Sequence, residues 1–242
     1  MTVSTDLPAN PTANPTGGVE KHPAAVAAMF SQLARRYDLV NAVVSFGQNY
    51  GWRRATTIAI DPQPGERILD LAGGTGSSAA PLARLGAEVA VCDISEGMMA
   101  VGRSRHPDID FIAGDASSLP FADNSFAKAT VTFGIRNMPD VPLALRELAR
   151  VVRPGGKLVI CEFSQPTGLL MSRVYPLYLR YILPIIAGVI TRDKQAYTYF
   201  AKTIIEWPAP VEFARIITDN GWQRVGYRNL SGGIVALHRA TK

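Results

Sequence analysis

Arg67-Ile-Leu-Asp-Leu-Ala-Gly-Gly-Thr-Gly-Ser-Ser-Ala-Ala-Pro-Leu-Ala-Arg-Leu-Gly86 packs a strand, a glycine loop and a helix into one short stretch. Arg67–Ala72 is an apolar run of strand length, and Ser77–Gly86 reads as a helix closed by its glycine. Between them, Gly73, Gly74 and Gly76 let the backbone turn tightly and approach a ligand with no Cβ in the way. In an open parallel sheet, ligands bind beyond the carboxyl ends of strands. The stretch therefore announces an α/β fold with a nucleotide-type pocket above its first strand.

Downstream, strand and helix alternate. Glu88–Ile94, Ile109–Ala113, Ala127–Phe133 and Lys157–Phe163 read as strands, and Glu96–Arg105 and Val141–Val152 as helices. The turn Arg153-Pro-Gly-Gly156 precedes the fifth strand. Trp222–Tyr227 and Ile234–Arg239 add two more, a hairpin around Ser231-Gly-Gly233. Seven strands, the first five joined by crossovers, predict a doubly wound, mostly parallel α/β sheet with an antiparallel C-terminal hairpin strand. Upstream, helix is expected over Pro23–Tyr37 and again over Asn41–Ile60, until Asp61-Pro62 stops it. The expected organisation is a disordered tail over 1–20, a helical lid over 21–65 and the α/β domain over 66–242. The tail is Pro, Thr, Asn and Ala with little to bury.

Charge decides which nucleoside the loop takes. Gly74-Thr-Gly76-Ser-Ser-Ala79 also fits the G-x-G-x-x-A dinucleotide fingerprint, with Asp93 at a suitable distance. A carboxylate at Asp70, just before the glycines, repels a diphosphate but attracts an ammonium or sulfonium. The loop reading is therefore S-adenosylmethionine, bound by Asp70, Gly73, Gly74, Thr75 and Gly76. Asp93, ending the second strand, can accept ribose hydroxyls or compete with Ser95 to cap the next helix. Asp115, after the third strand, can take an adenine amino group or simply close a turn. Thr132 ends the fourth strand on the same rim.

With those residues in view, the chain resembles class I methyltransferases, and more narrowly the ubiquinone/menaquinone C-methyltransferase family. The selective blocks are Tyr37-Asp-Leu-Val-Asn41, Ser45-Phe-Gly47, Trp52-Arg53, Phe133-Gly-Ile-Arg-Asn137, Glu162-Phe-Ser164 and Asn229-Leu-Ser-Gly-Gly-Ile-Val-Ala-Leu-His238. The resemblance implies a Rossmann-like methyltransferase sheet and cofactor contacts at Thr75, Asp93, Asp115 with Ala116, and Thr132. Two departures are Thr132, where many relatives have serine, and Asn49, where many have histidine. The implied reaction methylates a ring carbon of a polyprenyl quinol, above all demethylmenaquinol to menaquinol, without a metal. Alternatives are a benzoquinol or another lipid or small-molecule acceptor, an NAD-linked dehydrogenase, and a non-catalytic binding protein.

The catalytic candidates are Arg136, to stabilise phenolate charge or else to pair with Asp140 or Glu147, and Asn137, to orient a substrate oxygen or cap a turn. Tyr37, with Asp38, belongs to the lid or to the core; Tyr197 and Tyr199 line the ring pocket or the core. The stretch 168–190 (GLLMSRVYPLYLRYILPIIAGVI) is too interrupted by Arg173, Arg180, Pro176 and Pro184 to span a bilayer. It reads as part of a helical insertion over 168–206 that covers the domain core or a lipid surface, with Arg192 and Lys194 beside it.

The net charge of +5 carries no Lys/Arg run that suggests nucleic acid. No secretory signal opens the chain, so a cytoplasmic protein, peripheral on the cytoplasmic membrane face, is expected. Cys92 and Cys161 sit singly in apolar runs, as buried thiols rather than zinc ligands.

Overall fold

The computed structural model describes residues 23–166, 168–183, 185 and 194–242. The expected tail, Pro184 and residues 186–193 of the expected insertion, Arg192 among them, and the side chain of Tyr197 lie outside the described residues. In chain order the elements are α1 (Pro23–Val44), α2 (Gln48–Ile60), β1 (Arg67–Leu71), α3 (Ala79–Arg84), β2 (Glu88–Asp93), α4 (Glu96–Arg105), β3 (Asp110–Ala113) and β4 (Phe126–Thr132). There follow a 3-10 turn (Ile135–Asn137), α5 (Val141–Val151), β5 (Val152–Phe163), α6 (Leu169–Leu177) and a π-helical turn (Tyr178–Ile182). The chain closes with α7 (Lys194–Ile205), α8 (Pro210–Asp219), β6 (Gln223–Leu230), a 3-10 turn (Ser231–Gly233) and β7 (Val235–Thr241).

The sheet has seven strands in the order β3-β2-β1-β4-β5-β7-β6. β1 to β5 run parallel, with Asp70 level with Val91 on one side and Thr130 on the other. β7 inserts antiparallel between β5 and β6. Successive strand residues face opposite layers. Leu69 and Leu71 thus join the core formed with α5 and α8, including Leu145, Leu148, Phe213 and Trp222. Ile68 faces the other core, with Trp52 and Ile60 of α2, Leu82 of α3 and Met99 of α4. A third cluster joins Val40 and Val44 of α1 to Tyr175, Leu179 and Leu183 and to Ala201 and Ile204 of α7. It stands above the carboxyl ends of β4 and β5, as a helical cap on the sheet.

Several boundaries differ from the sequence reading, each for a local reason. The N-terminal helix does not stop at Tyr37 but runs to Val44. The break falls at Phe46 and Gly47, both left-handed with φ of 51° and 76°. Helix α3 is shorter than Ser77–Gly86, because the glycine loop is still turning through Gly76 (φ 75°). β4 ends at Thr132 because Phe133 is left-handed (φ 60°), as is Ala72 after β1 (φ 55°). β5 is extended from Val152 through the expected turn, with a register irregularity opposite Phe126–Lys128.

β1 and β4 are neighbours at the point where strand order reverses, so their exits open the crevice expected of such sheets. The two exits touch at Gly134, where an added Cβ would stand 2.5 Å from Ala72 Cβ. Replacing Gly134 with Ala must push the two loops apart. The expected cost in a urea titration is about 1–3 kcal/mol, as for other overpacked sites. Gly168→Ala, where nothing lies within 4 Å, should change stability by less than about 0.5 kcal/mol.

Candidate active site

Two cavities sit side by side above the β1 and β4 exits. The first, of about 900 Å³, is walled by the loop after β1 (Gly73, Gly74, Thr75), by Asp93 after β2, and by Asp115 and Ala116 after β3. Thr132, Phe133 and Asn137 close it on the β4 side, and Val26, Phe30 and Tyr37 of α1 form the roof. The second, of about 1050 Å³, lies between α1, α2, α6 and α7. Its wall is aromatic and aliphatic, with Trp52, Phe133, Phe163, Tyr175, Leu179 and Phe200. Tyr37, Arg53 and Phe133 border both cavities and so form the partition between them.

The floor of the first cavity is held by carboxylates. Asp93 accepts the Gly74 N–H through Oδ2 and the Ser95 N–H through Oδ1, both at 2.8 Å. It clamps the glycine loop to the end of β2, while Ser95 caps α4 by accepting from Met98 N. Burial raises the carboxyl of Asp93 above its ordinary range, against the pull of those N–H donors. Asp115 closes a turn by accepting the Ser117 N–H and hydroxyl at 2.8 and 2.7 Å, and still faces the cavity.

Asp70 is placed differently from the sequence expectation. It is fully buried and is not part of the cavity wall; it lies under the loop. Oδ1 accepts from Thr130 Oγ1 at 2.9 Å, and Oδ2 is buried with no partner among the described residues. A Cβ on residue 73 would stand 2.7 Å from that oxygen, so only glycine admits the carboxylate there. Gly76 also lies off the wall, against Phe111. Burial pushes the carboxyl of Asp70 up to about 7, opposed by the Thr130 bond and by Arg53.

The roof is tied to the floor through Asp38. Its carboxylate accepts from Thr75 Oγ1 at 3.0 Å, Ser77 Oγ at 2.9 Å and Arg105 at 2.6 Å. Ser31 of α1 meets Ser95 at 2.9 Å beside Gly97, where a Cβ would come within 2.6 Å of Ser31. α2 is pinned from the other end of the chain. Trp52 Nε1 donates to Ser231 Oγ at 2.9 Å, and Ser231 donates to Gln48 at 2.6 Å.

The structure separates the two catalytic candidates. Asn137 lines the cofactor-side cavity with Oδ1 unpartnered among the described residues. Arg136 is buried beneath, off both cavity walls, and pairs with Glu162 at 2.6 Å rather than with Asp140 or Glu147. It also donates to Phe133 O at 2.9 Å and stacks against Phe200 and Phe163. Asp140 caps α5 and Glu147 binds Arg150, so neither is available to it. Of α7, Phe200 rather than Tyr199 lines the aromatic cavity, and burial raises the Tyr199 hydroxyl. The sequence reading passed over Arg53, Phe163, Tyr175 and Tyr178; the Trp52-Arg53 pair and Phe163 lay inside quoted blocks but carried no spacing signal. Both cysteines are free and buried.

The residues fit an S-adenosyl nucleoside. The unpartnered Thr132 Oγ1, the glycine cradle and the wall carboxylates Asp93 and Asp115, with Asp70 beneath the loop, suit a cationic cofactor with ribose and adenine. Fold and cleft define an S-adenosylmethionine-dependent methyltransferase with a Rossmann-like sheet. The ubiE/COQ5 methyltransferase family matches residues 18–242, and the chain belongs to it.

A protein of Paenarthrobacter aurescens named demethylmenaquinone methyltransferase is 50% identical over 93% of this chain and 88% of its own. One of the same name from Mycolicibacterium vanbaalenii is 50% identical over 93% and 97%. Among solved structures, a Thermotoga maritima SAM-dependent methyltransferase superposes with a TM-score of 0.66 at 20% identity, covering 89% of this chain and 99% of that one. The dehydrogenase reading of the glycine loop is thereby set aside.

The carboxyl of Asp70 gives a stability prediction. Folded Asp70 keeps its proton to about pH 7, whereas its ordinary value is 3.8. The folded state therefore binds more protons across that window, and stability falls as pH rises through it. At about 1.4 kcal/mol per pH unit, the loss approaches roughly 4 kcal/mol. The apo protein should melt at progressively lower temperature from about pH 4 to about pH 7 and level off above. Asp70→Asn should flatten most of that decline, with the remainder belonging to Asp93.

Proposed function

We propose that the chain methylates a ring carbon of demethylmenaquinol to give menaquinol, with S-adenosylmethionine as methyl donor. The observation that carries the reading is the shared partition. A carboxylate-floored cavity and an aromatic cavity meet at Tyr37, Arg53 and Phe133. A flat bicyclic ring in the second cavity is then presented edge-on to the first. The relatives named demethylmenaquinone methyltransferase support that ring rather than another acceptor.

In this reading Asp93 accepts the ribose hydroxyls, and Asp115 with the Ala116 N–H takes the adenine edge. Thr132 and Asn137 point polar atoms at the methionyl end. Asp70, behind Gly73, supplies negative potential beneath the loop that favours the ammonium and sulfonium. When bound, the sulfonium supplies a methyl group on a good leaving group. The protein's task is to hold the ring carbon in line with it and keep water out. The aromatic walls do both. Arg136, held by Glu162 under Phe133 and Phe200, positions the partition and does not touch substrate.

A prenyl tail leaves by the outer rim of the second cavity. There Phe46, Val174 and Tyr178 belong to the cavity wall. Around them Phe46 (76% exposed), Leu177, Tyr181 and Ile185 (65%) present apolar side chains to the outside, beside the exposed Arg173 and Arg180. Among the described residues no helix is long and apolar enough to cross a membrane. Such a rim suits shallow contact with an anionic bilayer, on the cytoplasmic face.

Incubation with methyl-labelled donor and chemically reduced demethylmenaquinone should give labelled menaquinol by mass spectrometry. Label appearing only on a benzoquinol acceptor, or on no quinol, would refute the assignment. Separately, Phe46→Ser combined with Tyr181→Ser should cut sedimentation with phosphatidylglycerol-containing vesicles several-fold. Affinity for S-adenosylhomocysteine should be unchanged in the same variant.

A further inference from the structure

Helix α2 carries two hydrogen-bonding side chains that the cofactor cavity leaves unexplained. Asn49 and Arg53 are one turn apart, hence on one face of the helix. Both line the aromatic cavity. Asn49 is 3% exposed; its Oδ1 accepts from Ser45 Oγ at 3.2 Å, but Nδ2 is buried with no partner among the described residues. The Arg53 side chain is 11% exposed, and its Nε is likewise buried and unpartnered. Its ion-pair partner Asp38 lies at 3.6 Å, past hydrogen-bonding reach, and is already taken by Thr75, Ser77 and Arg105.

Burying an amide and a guanidinium donor without acceptors is costly, so native structures seldom keep such groups idle. The walls around them are mostly hydrocarbon, which means the acceptor arrives with the ligand. The two donors differ in place. Arg53 stands on the partition and borders both cavities, whereas Asn49 borders only the aromatic one. An oxygen held by Arg53 therefore lies at the edge of the ring nearest the arriving methyl group.

We propose that Asn49 and Arg53 form the subsite that recognises the ring oxygen next to the methylated carbon, with Arg53 stabilising that oxygen as phenolate. The inference rests on the quinol reading above. A guanidinium remains protonated throughout. Arg53 takes no proton; it lowers the pH at which the bound hydroxyl loses its proton to solvent, and the resulting charge spreads onto the carbon that attacks the methyl group as the S–CH3 bond breaks and S-adenosylhomocysteine leaves. The hydrogen on that carbon then passes to the ring oxygen, which restores the aromatic quinol, so one proton is released per turnover. Asn49 fixes the ring's rotation by a neutral hydrogen bond.

The test compares wild type with Arg53→Gln, Arg53→Lys and Asn49→Ala by three readouts. These are calorimetric affinity for S-adenosylhomocysteine, kcat and KM for a short-chain demethylmenaquinol between pH 6 and 10, and calorimetric binding of 1-naphthol against naphthalene. Arg53→Gln should keep the homocysteine affinity within about twofold and lower kcat roughly 100-fold, the usual scale for one charge-stabilising donor. The acidic limb of its kcat profile should move up by about one pH unit. Arg53→Lys should recover part of both effects, and Asn49→Ala should raise KM roughly tenfold.

Wild type should prefer 1-naphthol, and Arg53→Gln and Asn49→Ala should lose that preference. Parallel losses of homocysteine affinity and kcat/KM in Arg53→Gln, with an unmoved pH limb, would assign the guanidinium to the cofactor carboxylate and overturn the proposal. An undiminished naphthol preference in Arg53→Gln and Asn49→Ala would overturn it as well. The naphthol comparison needs no turnover. A wild type that binds naphthol selectively yet leaves the quinol unmethylated would refute the assigned reaction and not the subsite. Should Arg53→Gln fail to fold, Arg53→Lys and Asn49→Ala carry the same comparisons.

Discussion

A carboxylate buried beneath a glycine organises this molecule. Asp70 can stand at this point of β1 only because residue 73 has no Cβ, and its unpartnered oxygen then lies against the back of the loop. In water that carboxylate would be fully ionised; here burial holds it near neutrality's edge, at about 7. On the proposed reading, the apo protein thus stores an electrostatic cost at the spot that would receive the cofactor's positive charge. A sulfonium or ammonium above the loop favours the ionised form, so cofactor binding and ionisation of Asp70 assist each other. The second acid, Asp93, fixes the loop's shape by taking the Gly74 N–H. One acid supplies potential and the other supplies geometry.

Much of the fold was legible because it rests on local rules. Short apolar runs, glycine punctuation and strand–helix alternation place all seven strands within a few residues, and Asp93, Asp115 and Thr132, singled out by their position at strand ends, line the first cavity. The rest depends either on local backbone geometry or on contacts between residues distant in sequence. The sequence offers Arg136 a phenolate or a nearby acid, Asp140 or Glu147; the partner in the structure, Glu162, comes from the adjacent strand β5. The charge of Asp70 beside the glycines is legible in the sequence; its place behind the loop, off the cavity wall, is not. The break at Phe46-Gly47 was missed because Phe46 adopts a left-handed conformation that bulky residues seldom take. For Tyr199 the sequence leaves ring pocket and core both open; the cavity lining falls to Phe200, whose ring packs on Phe163.

The N-terminal helices are what turn a common sheet into this particular site. α1 roofs the cofactor cavity with Val26, Phe30 and Tyr37, and α2 contributes Trp52 and Arg53 to the aromatic cavity and the partition. Their placement depends on polar ties to both ends of the sheet: Asp38 to the glycine loop, and Trp52 through Ser231 to the β6–β7 hairpin. The hairpin, far along the chain and remote from the cofactor, therefore sets the aim of α2. That is a physical reason for the Ser231-Gly-Gly233 turn to be as specific as the glycine loop itself. Ser231 is left-handed (φ 48°), as are Gly232 and Gly233, a conformation that costs a non-glycine residue free energy and is offset here by two hydrogen bonds from one hydroxyl.

Because both cavities share α1, α2 and Phe133, neither can be reshaped alone. Displacing Phe133 to widen the ring pocket moves Arg136 too, since its guanidinium is bonded to Phe133 O and stacked on Phe200. The buried Arg136–Glu162 pair then acts as a rigid post under the partition. Its two members are each about 1% exposed, so removing either leaves a charge with no solvent to receive it. An ion pair so placed contributes little net stability compared with a hydrocarbon pair of the same volume, but it holds one geometry. For a transfer that succeeds only when carbon, methyl and sulfur are collinear, that fixity is worth more than the stability it forgoes.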